Sequence, residues 1–118
     1  MAISVHHVHL KTTDPKKTMQ FYVDTLDAKL IKEVDGRGYQ VNLHGLQLNI
    51  TTIIDTQKRE QKLGIEHIAI DTDDYAGTMA KFRATGARVL EEMIGSSGRH
   101  VGWVEAPDGA QIEVIEKA

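Results

Sequence analysis

The chain has 118 residues, 41% of them apolar and 26% charged, with 17 acidic against 14 basic side chains and no cysteine. That composition belongs to a globular chain with its own core, and it excludes disulfides and thiolate metal sites, so any metal must be held by imidazole, carboxylate or amide oxygen. Basic residues are interleaved with acids, no apolar run nears the ~20 residues of a membrane span, and Met1-Ala2-Ile3-Ser4 lacks the segments of a secretion signal; we expect a cytoplasmic protein whose partners include neither nucleic acid nor membrane.

Ser4 to Thr12 is an apolar, β-branched run and predicts a strand. Asp14 followed by Pro15 predicts a capped helix start, and Met19, Tyr22, Val23 and Leu26 recur at i, i+3, i+4 and i+7, one apolar helical stripe. Three extended segments follow, Lys29 to Val34, Tyr39 to His44 and Leu46 to Thr52, broken at Asp35-Gly36 and at Gly45. Residues 53–64, rich in Gln, Lys and Glu, read as a linker. The order then recurs. A strand over Ile65 to Thr72 leads to a cap at Asp73 or Asp74, and a helix carrying Tyr75, Met79 and Phe82 stops near Gly86. Strands over Arg88 to Ile94, His100 to Glu105 and Ala110 to Glu116 complete the chain, separated by Gly95 to Gly98 and by Pro107-Asp108-Gly109.

A shift of sixty positions pairs His7 with His67, Thr12 with Thr72, Asp14 with Asp74, Thr18 with Thr78, Met19 with Met79, Thr25 with Thr85 and Leu30 with Leu90. So many matches in phase predict one α+β domain over residues 1–118. It is built of two βαβββ modules, about 4–52 and 65–116, whose strands form a curled mixed sheet around a cavity.

Alternation sorts each strand into a face that meets its helix and a face that does not. Val8 and Leu10 take the helix side, which sends His7 and His9 to the other; Ile68 and Ile70 likewise oppose His67. In the closing strands Gln47, Asn49 and Thr51, and Gln111, Glu113 and Ile115, take the non-helix side. His7 and His67 hold the same place in each copy, as do Asn49 and Glu113, offset by sixty-four because the second copy has longer loops. Two imidazoles and a carboxylate converging on one cavity suit one divalent ion among Ni, Zn, Co, Mn and Fe(II), whereas an all-oxygen Mg or Ca site would not use histidine. His9 shares the face of His7 and is a candidate for supporting the site or touching substrate. His100, beside Arg99 in a Gly/Ser-rich turn, is a candidate for orienting an anionic substrate, and Trp103 lines the cavity or packs in the core according to the register of its strand. His6 and His44 read as structural.

The stretch His7-Val8-His9-Leu10 with Asp14 and Phe21-Tyr22, then Gly64 to Ile70, then Pro107-Asp108-Gly109-Ala110-Gln111-Ile112-Glu113-Val114, resembles the vicinal-oxygen-chelate superfamily, which includes glyoxalase I, methylmalonyl-CoA epimerase, extradiol dioxygenases and bleomycin-binding proteins. The resemblance covers essentially the whole chain. It implies metal ligands at His7, His67 and Glu113, with Glu113 also the catalytic base. The sequence departs at Asn49, where glyoxalase I has a glutamate and the epimerase a glutamine; Asn49 can offer an amide oxygen as fourth ligand or substrate contact but cannot act as a base. The implied function is metal-dependent proton transfer on a small oxygenated substrate, of the lactoylglutathione lyase or epimerase kind, in a homodimer. The alternatives the resemblance carries are an Fe(II) extradiol-type dioxygenase, a thiol transferase and a metal-free drug-binding protein.

Overall fold

The computed structural model describes residues 2–118, and the chain divides into two compact units: His7–Glu66, and the stretch up to His6 together with His67–Ala118. The elements are β1 (Ile3–Lys11), α1 (Pro15–Leu26), β2 (Lys29–Val34), β3 (Gly38–Leu43), β4 (Leu46–Thr51), β5 (Gly64–Thr72), α2 (Tyr75–Ala84), β6 (Arg88–Ile94), β7 (His100–Glu105) and β8 (Gln111–Glu116). This is the α+β architecture of two βαβββ modules. The units exchange strand beginnings: Ala2 and Ser4 belong with the second repeat, where Asp73 N donates to the Ala2 carbonyl at 3.2 Å and the Ser4 hydroxyl donates to the Asp71 carboxylate.

In the unit His7–Glu66 the strand order is β2-β3-β4-β1, with antiparallel neighbours except for the parallel pair β1 and β4. One helix covers one face, and Leu10, Met19, Ala28, Val41, Leu48 and Ile50 form the buried core beneath it. The other unit repeats this as β6-β7-β8-β5, with β5 parallel to β8 and a core of Met79, Val104 and Val114, flanked by Ile70, Phe82 and Ile112. Each fully buried valine contributes roughly 1.5–3 kcal/mol of hydrophobic stabilisation.

The polar matches of the repeat form the joint between strand and helix. Asp14 caps α1, its carboxylate accepting from Lys17 N at 3.1 Å, and Asp74, the second of the two predicted candidates, caps α2 by accepting from Gly77 N at 2.9 Å. The Thr12 and Thr18 hydroxyls bond at 2.8 Å, and those of Thr72 and Thr78 do the same at 2.8 Å. Asp14 N donates to Thr12 Oγ1, and Asp74 N to Thr72 Oγ1.

The sixty-residue frame holds only as far as the helices, which corrects the pairing of Leu30 with Leu90. Helix α1 closes on Asp27, left-handed at φ 59°, with Ala28 N bonded to the Tyr22 carbonyl; α2 closes on Gly86, at φ 82°, with Ala87 N bonded to the Phe82 carbonyl. The closing residues are therefore fifty-nine apart. The β-bulges follow the new frame, lying between Leu30 and Lys32 and between Val89 and Glu91, so Leu30 corresponds to Val89.

The predicted linker is an ordered loop. The Gln61 side chain donates to the Ile54 carbonyl at 2.8 Å and accepts from Ile54 N at 2.9 Å, while Arg59 Nη2 pairs with Glu66 Oε1 at 2.8 Å with both side chains buried. Among the described residues no helix is long and apolar enough to cross a membrane.

Candidate metal centre

In the first unit β1 sends Val8 and Leu10 into the helix-side core and leaves His7, His9 and Lys11 on the opposite face, all three buried. The His7 and His9 rings lie 5.6 Å apart between centroids, tilted by 58°. The parallel register sets His9 beside Asn49 and Lys11 beside Thr51 on β4. His9 Nε2 lies 2.7 Å from Thr51 Oγ1. The Thr51 hydroxyl donates its one proton to the Thr52 carbonyl at 3.0 Å, and Lys11 Nζ donates to the same oxygen at 3.3 Å. Asn49 Oδ1, the atom expected to reach a metal, accepts from Gln47 Nε2 at 2.9 Å.

In the second unit His67 Nε2 and Glu113 Oε1 are 3.0 Å apart. The imidazole is almost wholly enclosed, at 2% side-chain exposure, and the carboxylate is the more accessible partner at 14%. Trp103 pairs with Glu113 across β7 and β8, is buried, and stands edge-on to His67 with centroids 6.4 Å apart. Its strand register, open from the sequence, thus turns it to the His67 side. The indole shields that side from water, which strengthens electrostatic interactions there.

The donor set fits a divalent ion. Nitrogen and oxygen ligands at about 2.1 Å from a metal stand about 3 Å apart when they occupy neighbouring coordination positions, which is the separation His67 and Glu113 already have. Imidazole with carboxylate is borderline chemistry suited to Mn, Fe, Co, Ni or Zn.

His100 is placed elsewhere. It lies on the helix side of β7, where its ring stacks on Tyr75 at 5.2 Å and its Nδ1 contacts Glu116 Oε1 at 2.9 Å. Tyr75 donates to Glu92 at 2.7 Å and Arg83 donates to the other Glu92 oxygen at 2.6 Å. Burial, then the Glu92 bond, pushes the Tyr75 hydroxyl well above its ordinary range. The bonds from His100, backbone first, hold the Glu116 carboxyl below its usual value. Gly102 gives Tyr75 its seat, since a Cβ there would meet the phenol oxygen at 2.6 Å. Arg99 is exposed in the preceding turn, its carbonyl accepting from Gly95 N at 2.8 Å. His44 takes a turn conformation at φ 52°, and its Nε2 meets the Leu26 carbonyl at 2.8 Å. The roles of Thr51, Gln47 and Lys11 were missed from sequence; their odd-numbered positions alongside His9 and Asn49 were the available signal.

The sequence model of the Glyoxalase/Bleomycin resistance protein/Dioxygenase superfamily matches residues 4–114. The chain belongs to this superfamily. A superfamily relative, lactoylglutathione lyase of Haemophilus influenzae, is 28% identical over 97% of this chain and 93% of its own length. Among solved structures, a hypothetical protein of Bacillus halodurans covers 100% of this chain and 96% of its own with a TM-score of 0.76 at 19% identity, which shows the shared fold. A methylmalonyl-CoA epimerase variant of Streptomyces coelicolor, solved in complex with 2-nitronate-propionyl-CoA, is 27% identical, covers 97% of this chain and 96% of its own, and has a TM-score of 0.63.

Proposed function

We propose that this protein is a divalent-metal-dependent enzyme that moves a proton on the carbon beside a carbonyl of a small oxygenated substrate, in the manner of a lactoylglutathione lyase or an epimerase. The observation that carries the reading is the enclosed His67–Glu113 pair at ligand-to-ligand spacing, with the carboxylate as its accessible member. Relatives named lactoylglutathione lyase, matched over nearly the full chain, support the same chemistry. His7, His67 and Glu113 would hold the ion, one of Ni, Zn, Co, Mn or Fe(II). Bound there, the ion supplies Lewis-acid stabilisation of charge developing on substrate oxygen, worth several kcal/mol.

Glu113 accepts the proton from the carbon and returns it, so the carboxylate is regenerated at the end of each turnover. The Trp103 indole excludes water from behind the His67–Glu113 pair. The reading includes a homodimeric cytoplasmic protein, which sedimentation velocity checks for the dimer.

The test is Glu113→Gln, followed by metal content and by turnover of lactoylglutathione and of methylmalonyl-CoA in deuterated water. The expected result is retained metal with loss of turnover and of deuterium uptake by at least a hundredfold. Full activity in this variant would overturn Glu113 as the base; chelator-stripped wild-type protein that takes up no metal would overturn the metal-dependent reading.

A further inference from the structure

We infer that His9 is itself a metal ligand, standing in the first repeat for the long carboxylate that Glu113 supplies in the second and that the shorter Asn49 does not. The inference rests on the metal-dependent reading above and adds His9 to the ligands named there.

The tautomer of His9 leaves a lone pair for a metal. The Thr51 hydroxyl spends its single proton on the Thr52 carbonyl, so at 2.7 Å from His9 it accepts, and Nε2 of His9 is the protonated nitrogen. A neutral imidazole then carries its lone pair on Nδ1. A hydrogen bond from the far nitrogen to a fixed acceptor is the arrangement that orients metal-binding histidines and raises their basicity. Lys11, donating to the same carbonyl as Thr51, holds that acceptor chain from its other end.

The spacing of His7 and His9 suits one ion. His7 and His9 alternate onto one face of β1 with a ring nitrogen of each within 4.8 Å of the other. Two imidazoles on one metal, each bonded at about 2.1 Å, place their ring centroids about 5 Å apart, close to the 5.6 Å seen.

The two repeats place their long side chains on different strands. The parallel register sets His9 beside Asn49 in one unit and Ala69 beside Glu113 in the other. Each adjacent pair holds one strong ligand, on the β4-type strand in the second copy and on the β1-type strand in the first. Asn49 is the shorter side chain and its amide oxygen accepts from Gln47, while the long donor stands on the neighbouring strand.

The experiment loads chelator-stripped protein with Zn by calorimetry and with Co(II) or Cu(II) for spectroscopy, comparing wild type with His9→Ala, Asn49→Ala, Thr51→Val and His67→Ala. Expected are a loss of Zn affinity of at least a hundredfold and of one imidazole from the metal's pulsed-EPR or X-ray absorption signature in His9→Ala, with Asn49→Ala within threefold of wild type. Thr51→Val should weaken Zn by about tenfold with the imidazole count unchanged, and it keeps the inference testable should His9→Ala fold poorly. An unchanged imidazole count in His9→Ala, or wild-type affinity in Thr51→Val, overturns the inference while loss of binding in His67→Ala leaves the proposed function standing. A wild-type protein that takes up no metal overturns both.

Discussion

Replacing Thr78 by valine should cost about 2 kcal/mol, and the same change at Thr18 clearly less, although the two threonines hold the same place in the two repeats. Thr78 donates to the Asp74 carbonyl at 2.7 Å and receives the Thr72 hydroxyl at 2.8 Å, with Thr72 and Thr78 both fully enclosed. Thr72 already accepts from Asp74 N, so valine at 78 strands its hydroxyl proton where water cannot reach it. A buried donor left without a partner costs about 1–3 kcal/mol, more than a solvated hydrogen bond at about 1 kcal/mol. Thr18 and Thr12 are only half-buried, so water can replace the missing oxygen. At an unfolding entropy of about 2.1 cal/mol/K per residue, a chain of 118 residues loses roughly 8 °C in Tm for 2 kcal/mol. Urea melts followed by circular dichroism would give both differences, with an unchanged m-value expected. Equal losses at the two sites, or a larger loss at Thr18, would refute burial as the deciding factor.

Arg59→Ala should be severe, about 3–5 kcal/mol, because it leaves the Glu66 carboxylate buried without its guanidinium; the double change Arg59→Met with Glu66→Leu should recover most of that loss in the same melts, and failure to recover it would assign the cost to packing. Tyr75 should ionise well above the ordinary tyrosine value of 10.0 when absorbance is followed upward in pH, and Tyr75→Phe should remove that late step. Its raised value means that folding favours the protonated phenol, so this contribution to stability is complete below the ordinary value of 10.0 and is lost as pH rises past it. The Phe variant should therefore lose less stability than wild type between about pH 10 and 12.

The fold was legible because the repeat is written in residues with local jobs. Thr12, Asp14 and Thr18 recur as Thr72, Asp74 and Thr78 since each set ties a strand end to a helix start, and such short-range networks leave their spacing in the sequence. The change of frame from sixty to fifty-nine was hidden, because Asp27 and Gly86 close their helices alike through a backbone conformation that only glycine advertises. At the site, alternation gave the faces of His7, His67 and Glu113, and these stand where their strands' parity requires. It did not give the side of Trp103, which depends on how β7 pairs across a hairpin of irregular length.

Least legible were the partners. A sequence shows that His9 and Thr51 share a face, yet which hydroxyl proton points where depends on the Thr52 carbonyl, and that decides which imidazole nitrogen carries a lone pair. The register then gives the departure at Asn49 its physical sense. In the second repeat a small Ala69 lies beside the long carboxylate of Glu113, and in the first a short Asn49 lies beside the long imidazole of His9. On the proposed ligand set, two copies of one module keep their donors on different strands, because the neighbouring strand of a parallel pair brings a donor to the same face.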